Sequence, residues 1–383
     1  MNDGGPTENG DASRPGDGLP GGTGSGGTAS SGAAGGGAAS GGTGTPDTGT
    51  AGTATPGTAT GTATPGTATP GTATTGTAGA VRQIHDVGAR ALEWLYAHRD
   101  GFRLEDDPDP ETGMLDRFKP LGELALIGKV IFREGVAGSQ QAATARRLLD
   151  HAWHELLGSG ARLVDGQTRE PLSPVPFEVY VPFKELGYSH PQVEAAAQLN
   201  HRLVSRQTLE VLPVRRLGLS AMERRFGLPP GLPEDAAAAR TWLAHRPEPW
   251  TVEGHIGYDI THTVFHLTDW GEHPSGLPDD IAGYLATWLP VWLDDWLDLG
   301  RWDLLGELLV VDACLPEPTL DPAAWRGFAA AQQPDGAMPV QGAMPEGDDG
   351  YVFDLVYHPT LVAAFASALA VSRAMADLTA PVS

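Results

Sequence analysis

The chain predicts an all-α fold built from paired helices, and three observations carry that reading. Helical periodicity recurs from Val81 onward, while strand signals are scarce. Three Asp-Gly pairs, Asp100-Gly101, Asp165-Gly166 and Asp335-Gly336, are each followed by a phenylalanine (Phe118, Phe183, Phe353) 17 residues past the glycine. After each phenylalanine comes an ionisable residue (Lys119, Lys184, Asp354) and then an apolar helical stretch. A fixed offset that recurs along a chain reads as one structural unit used several times.

In chain order, a low-complexity segment comes first. Residues 1–80 hold no aromatic residue, no lysine and almost no large aliphatic, and they end in a TATPG-type repeat from Thr53 to Thr75. Such a composition cannot bury enough apolar surface to offset the entropy of ordering, so this tail is expected to be disordered. It lacks the basic start and apolar core of a signal peptide. The folded region is expected over 81–378, with 379–383 as a short second tail.

The first predicted helix, 82–98, stops ahead of Asp100-Gly101. The second, 120–133, opens on Pro120 and stops before Gly135. Helix 139–157 stops before Gly158, and Pro191 opens 191–205. Helices 234–245 and 259–270 are joined by a shortened connection from Arg246 to Tyr258, and 279–299 turns at Gly300 into 302–314. Helix 322–332 leads to Asp335-Gly336, and Pro359 opens 359–377. These form five pairs, in a domain of about ten to twelve helices. Helix pairs stack as an open solenoid or close into a ring with one helix of each pair inside. The long loops all join first helix to second and so gather at one end, where a ring keeps its cavity mouth; long loops in a compact domain are usually functional.

Charge narrows the partners. Of a net −23, the tail carries −4 and the folded region −19, which argues against nucleic acid and anionic membrane. No stretch approaches the roughly 20 apolar residues of a transmembrane span. The lone cysteine, Cys314, excludes an internal disulfide framework and fits a reducing cytoplasm. The expected partner is a small molecule or a peptide, and the oligomeric state is not legible.

One stretch carries a resemblance: Gln332-Gln333-Pro334-Asp335-Gly336, then Phe353-Asp354-Leu355-Val356-Tyr357-His358-Pro359-Thr360-Leu361. It resembles the closing repeat of α/α-toroid proteins, a group that includes protein prenyltransferase β subunits, terpene cyclases of the squalene-hopene type and lanthipeptide cyclases. The region 81–378 as a whole is similar to an uncharacterised bacterial family of unknown function. The resemblance implies an α/α toroid and a place in specialised metabolism, such as peptide cyclisation or isoprenoid handling. The chain departs from the chemistry of these relatives. It has neither the Asp-x-Asp-Asp acid of class II terpene cyclases nor the Cys-Cys-His ligand set of zinc lanthipeptide cyclases.

The richest constellation is Tyr258-Asp259-Ile260-Thr261-His262-Thr263-Val264-Phe265-His266. Asp259, His262 and His266 are spaced by three and four residues and share a helical face. Two imidazoles and a carboxylate suit acid/base work, a divalent metal such as zinc, or a hydrogen-bonded seam between helices. No cofactor is otherwise implied. A second group, Asp354, Tyr357 and His358, precedes Pro359, which puts His358 near a helix N-terminus expected to keep its imidazole neutral. Tyr188-Ser189-His190-Pro191 repeats that grouping, either as caps or as polar heads around one mouth. In a ring, the starts of the second helices bring together Lys119 and Glu123; Lys184, Tyr188 and His190; Asp259 and His262; Asp303 and Glu307; and Asp354 and His358.

Two motifs are set aside. Asp312-Ala313-Cys314 with His358 resembles the zinc ligands of prenyltransferase β subunits, but the first pair ends its helix while His358 starts another. Asp294-Asp295-x-x-Asp298 reads as a solvated acidic face. As an enzyme, the chain would use His262 as proton carrier, Asp259 to orient it, and Tyr357 and His358 to donate to the ligand, with His266 as a further acid/base group. Tyr188, His190, Tyr258, Glu307 and Asp354 would contact the ligand. The alternative is a non-catalytic helical-repeat scaffold whose histidines are structural.

Overall fold

The computed structural model describes residues 70–104, 113–135 and 139–379, all within one compact unit. The disorder expected over 1–80 is corrected at its end, because the first helix already begins at Pro70; residues 1–69 lie outside the described residues, as does most of 379–383. Among the described residues there are fourteen α-helices and no strand. They are α1 (Pro70–Ala97), α2 (Met114–Glu134), α3 (Gln140–His151), α4 (Ala161–Arg169), α5 (Val175–Glu185), α6 (Pro191–His201) and α7 (Val204–Gln207). Then follow α8 (Pro213–Phe226), α9 (Glu234–Ala238), α10 (Gly254–Leu267), α11 (Asp279–Asp298), α12 (Trp302–Cys314), α13 (Pro322–Ala331) and α14 (Asp349–Thr379).

Six of these helices pack in succession. α2 lies on α5, α5 on α8, α8 on α10, α10 on α12, α12 on α14, and α14 returns to α2, so the contacts form a cycle. The others attach to these: α1 on α14, α3 on α1 and α2, α4 and α6 on α5, α7 on α6, α9 on α8, and α11 and α13 on α12. Helix α12 shows how fully a member of the cycle is buried. All residues from Asp303 to Cys314 are buried, with no polar face left for solvent.

The pairing differs from the sequence expectation at two cycle helices. Helix α5 falls inside the stretch expected to be loop, because Val175, Val179 and Val181 with Pro176 and Pro182 suppress a helical signal. Burial of Val175–Phe177 and Val179–Phe183 outweighs that propensity. Helix α8, read from sequence only as short segments, hides a buried run from Leu217 to Glu223 between two arginine pairs. The helix expected at 191–205 becomes α6 and α7, neither of them in the cycle, and 234–245 shortens to α9 and a 3-10 turn at Leu243–His245.

Prolines mislead in the same way. Pro191 does open α6, but α2 runs through Pro120 and α14 through Pro359. An interior proline costs a helix about 3 kcal/mol, which burial on both flanks offsets here. Phe118, Phe183 and Phe353 therefore lie on helices rather than ahead of them, and all three are buried.

Helix α14 also corrects the expectation of no long apolar stretch. Its segment Asp349–Ala376 is long and apolar enough to cross a membrane, with a mean hydropathy of 1.5, yet 78% of that window is buried within the fold. Contacts with α1, α2 and α12 make it a core helix.

The C-terminal ends of the cycle helices are tied together by charge. Lys129 of α2 pairs with Glu185 of α5 at 3.1 Å, and Arg225 of α8 joins Glu185 to Asp269, which follows α10. Arg133 donates to the Asp269 and Trp270 carbonyls; Arg373 of α14 donates to those of Gly271 and Ala313. Cations at carbonyl-rich helix ends are favourable. With six C-termini gathered, the N-terminal halves converge at the other end.

Candidate functional site at the N-terminal ends of the cycle helices

Four cycle helices deliver the polar side chains that meet there. Helix α2 brings Lys119 and Glu123, one turn apart, with Nζ and Oε1 at 3.8 Å. Helix α12 brings Asp303 and Glu307, again one turn apart and on one face. Helix α10 supplies Tyr258, Thr261 and His262, and α14 supplies Tyr357 and His358.

His358 is the centre. Its Nδ1–H donates to Glu123 Oε2 at 3.1 Å, and its Nε2–H points to Glu307 Oε1 at 3.4 Å and Asp303 Oδ1 at 3.5 Å. Tyr258 Oη donates to Asp303 Oδ2 at 2.6 Å, and the Thr261 hydroxyl donates to Glu307 Oε2. His262 Nδ1–H donates to the Tyr258 carbonyl at 2.8 Å and sits 3.8 Å from Glu307 Oε2. Asp303 Oδ1 is buried with no hydrogen-bond donor.

Exposure divides the group into rim and floor. The side chains of Lys119, Glu123 and His262 are 21%, 19% and 23% accessible, against 4% for Asp303 and 2% for Glu307. The accessible side chains belong to α2 and α10, and the α12 carboxyls lie beneath them.

The electrostatics separate these groups. Burial alone would discharge His358, but Glu123 and Asp303, with Glu307 behind them, hold its pKa well above the usual imidazole value. Burial pushes Glu123 and Glu307 upward, yet the His358 charge, with Lys119 beside Glu123 and His262 beside Glu307, leaves both below the ordinary carboxylate value. Asp303 goes the other way. Burial raises it, and Glu307 adds to the rise, while His358 only partly compensates. Burial and neighbouring carboxylates also raise Tyr258 and Tyr357, which keeps both phenols as donors.

The expectation of a neutral His358 at a helix N-terminus is thus corrected. His358 lies well inside α14, which begins at Asp349, and three carboxyl groups surround it. The sequence-proposed residues fall into two sets. His262, Tyr258, Glu307, Tyr357 and His358 come together, joined by Lys119, Glu123 and Asp303. Of the others, Asp259 is within electrostatic reach of His262 and Asp354 of Tyr357, while His266, Tyr188 and His190 have surroundings of their own. His266 stands against Gly218 and Trp270, and burial depresses its pKa to about 3. Asp259 is raised by burial, and its ligand atom does not group with those of His262 and His266 as those of Asp269, Glu272 and His273 group. Tyr188 donates to Asp150 at 2.8 Å, and His190 caps α6 through Val193 N–H. Asp354 is exposed on the first turns of α14.

The motifs set aside have structural roles. Asp312 accepts from Thr319 N, Thr319 Oγ1 and Leu320 N at 2.7–3.0 Å, folding the loop after α12, and Cys314 is a buried free thiol. Asp294, Asp295 and Asp298 are exposed on α11, outside the cycle. The residue that sequence reasoning missed outright is Thr261. Its signal was its place between Tyr258 and His262 on the helix, where one turn aims it at Glu307.

No curated protein and no solved structure matches the chain. A family model described as "Domain of unknown function (DUF6895)" matches residues 88–368, a span that begins inside α1, holds the whole cycle up to α14 and includes every residue of the site. The chain belongs to that family.

Proposed function

We propose that residues 88–368 form an α/α toroid and that the N-terminal ends of its inner helices bind a small molecule or peptide segment and move protons on it. The observation that carries this reading is a charged His358 set among carboxyl groups from two other helices, one of which is pushed up while the others are pushed down. Buried charges of this kind are an expensive way to hold helices together, since well-packed apolar residues do it as well or better. Carboxyl groups whose environments drive their pKa values apart mark an acid and a base. Asp303, whose pKa is raised by burial, is assigned the acid, and Glu307, whose pKa is lowered, the base. His358 lies within 3.5 Å of both and can pass a proton between them. Tyr258 orients Asp303, while His262 and Lys119 meet the ligand at the rim. The closed contact cycle from α2 to α14 supports the toroid, and acid/base-assisted cyclisation or isomerisation in specialised metabolism is the reaction class that fits.

The test is native mass spectrometry of the full chain after incubation with a metabolite extract, beside Asp303→Asn. The reading expects a bound small molecule or peptide that wild type converts and the folded variant holds unchanged. An empty protein in both, with Asp303→Asn less stable than wild type, would overturn it and leave a structural polar seam.

A further inference from the structure

We propose that the Asp303–Glu307 carboxyl pair seats the ammonium group of the ligand, so that the molecule bound at this site is a primary amine. This rests on the binding reading above and names its ligand class. The geometry carries it. A single Nε2–H of His358 faces two carboxyl oxygens, at 3.4 Å and 3.5 Å. Both distances exceed the 2.7–3.2 Å of an ordinary N–H···O bond, so one donor serves two acceptors poorly. Asp303 Oδ1 is left without a donor in a buried place, where an unmet acceptor is costly.

The donors nearest the pair are already committed. Tyr258 Oη is spent on Asp303 Oδ2, Thr261 Oγ1 on Glu307 Oε2, and His262 Nδ1 on the Tyr258 carbonyl. Lys119 stands by Glu123 across the site. The missing element is therefore a compact cation with more than one N–H, and an ammonium supplies three. Charge agrees: Asp303 shares His358 with Glu123 and Glu307, and that one cation only partly compensates it, while Lys119 stands beside Glu123 and His262 beside Glu307. An anionic ligand would meet three carboxyl groups and is disfavoured. Tyr258 and Tyr357 beside the pair favour an organic ammonium over a bare metal cation.

The source of the amine, a free small molecule or the N-terminus of a peptide, is separated by the probes. Isothermal titration calorimetry on the full chain at pH 7 would compare phenethylamine with its neutral isostere 2-phenylethanol. A second pair is the tripeptide amide Phe-Ala-Ala and its N-acetylated form. At least tenfold tighter binding of one charged member than of its neutral partner is expected, and the pair that shows it identifies the source. In Asp303→Asn, checked for folding by circular dichroism, that preference should fall below about twofold. Equal binding of charged and neutral probes, unchanged in the variant, would overturn the amine assignment while leaving a ligand site. Binding of none of the four probes would overturn this inference; the mass-spectrometric test above decides the broader reading separately.

Discussion

Gly101 lies against the ring of Phe353, so close that a Cβ at Gly101 would stand 2.7 Å from the ring carbons. The same relation holds one unit along, where a Cβ at Gly166 would stand 3.2–3.5 Å from Met114 and Phe118. The glycine of one Asp-Gly unit thus accepts the phenylalanine helix of its neighbour, and the contact from the last unit to the first runs across the whole described fold. Gly336 departs from this: its φ of +106° and its approach to the Arg90 carbonyl fix it on α1 instead.

Gly101→Leu should therefore lower stability by about 1–3 kcal/mol, because the added side chain overpacks against a buried ring. Phe353→Ala in the same chain should recover part of the loss. Urea unfolding of the two single variants and the double variant measures the coupling; strict additivity would mean the two residues do not meet.

Asp303→Asn should be neutral or stabilising by up to about 2 kcal/mol at pH 8, since the amide keeps an acceptor for Tyr258 and removes a buried charge. The sign follows from the raised pKa: wild-type stability from Asp303 is present below its unfolded value and is lost as pH climbs through the folded one. Unfolding midpoints at pH 5 and pH 8 should converge in the variant and separate in wild type.

His358→Gln removes the cation that two lowered carboxylates depend on, and should cost about 3–5 kcal/mol. His358 has a raised pKa, so its contribution is complete below the usual 6.5 and fades as pH rises through the folded value. A proton NMR titration of the imidazole C–H should give His358 a midpoint well above 6.5; a midpoint near 6.5 would mean the carboxylates do not hold it.

His266 titrates in the opposite sense. It is held neutral with a pKa of about 3, so the stability it lends is present above 6.5 and is lost as pH falls toward 3. His266→Gln should flatten that acid limb by about 1–3 kcal/mol between pH 7 and pH 4. Thermal melts across this range check it, and parallel curves for the two proteins would place His266 outside the acid response.

Much of this was legible from residue spacing and some was not. The one-turn pairs Lys119/Glu123 and Asp303/Glu307, with His262 and His358, could be assigned to a shared end because each was read near the start of the second helix of a pair. The ionic state of His358 could not, because Pro359 reads locally as a helix start, while the helix was set by burial of α14 against three neighbours. Helices α5 and α8 were obscured for related reasons, one by β-branched residues and proline, the other by arginines flanking an apolar run. The two histidines of the Tyr258–His266 stretch share a face, but a full turn along α10 carries His266 away from the carboxyls and toward Gly218.

Helix α14 touches α1, α2 and α12, and the sequence between α1 and α14 makes up most of the described chain. During synthesis, the faces of those earlier helices emerge from the ribosome long before the segment that covers them. Such long-range closure folds slowly and leaves apolar surface exposed meanwhile. The nascent chain would hold an open arc of helices in need of a chaperone, and α14 itself would be an apolar segment that a membrane-insertion machinery could mistake for a span.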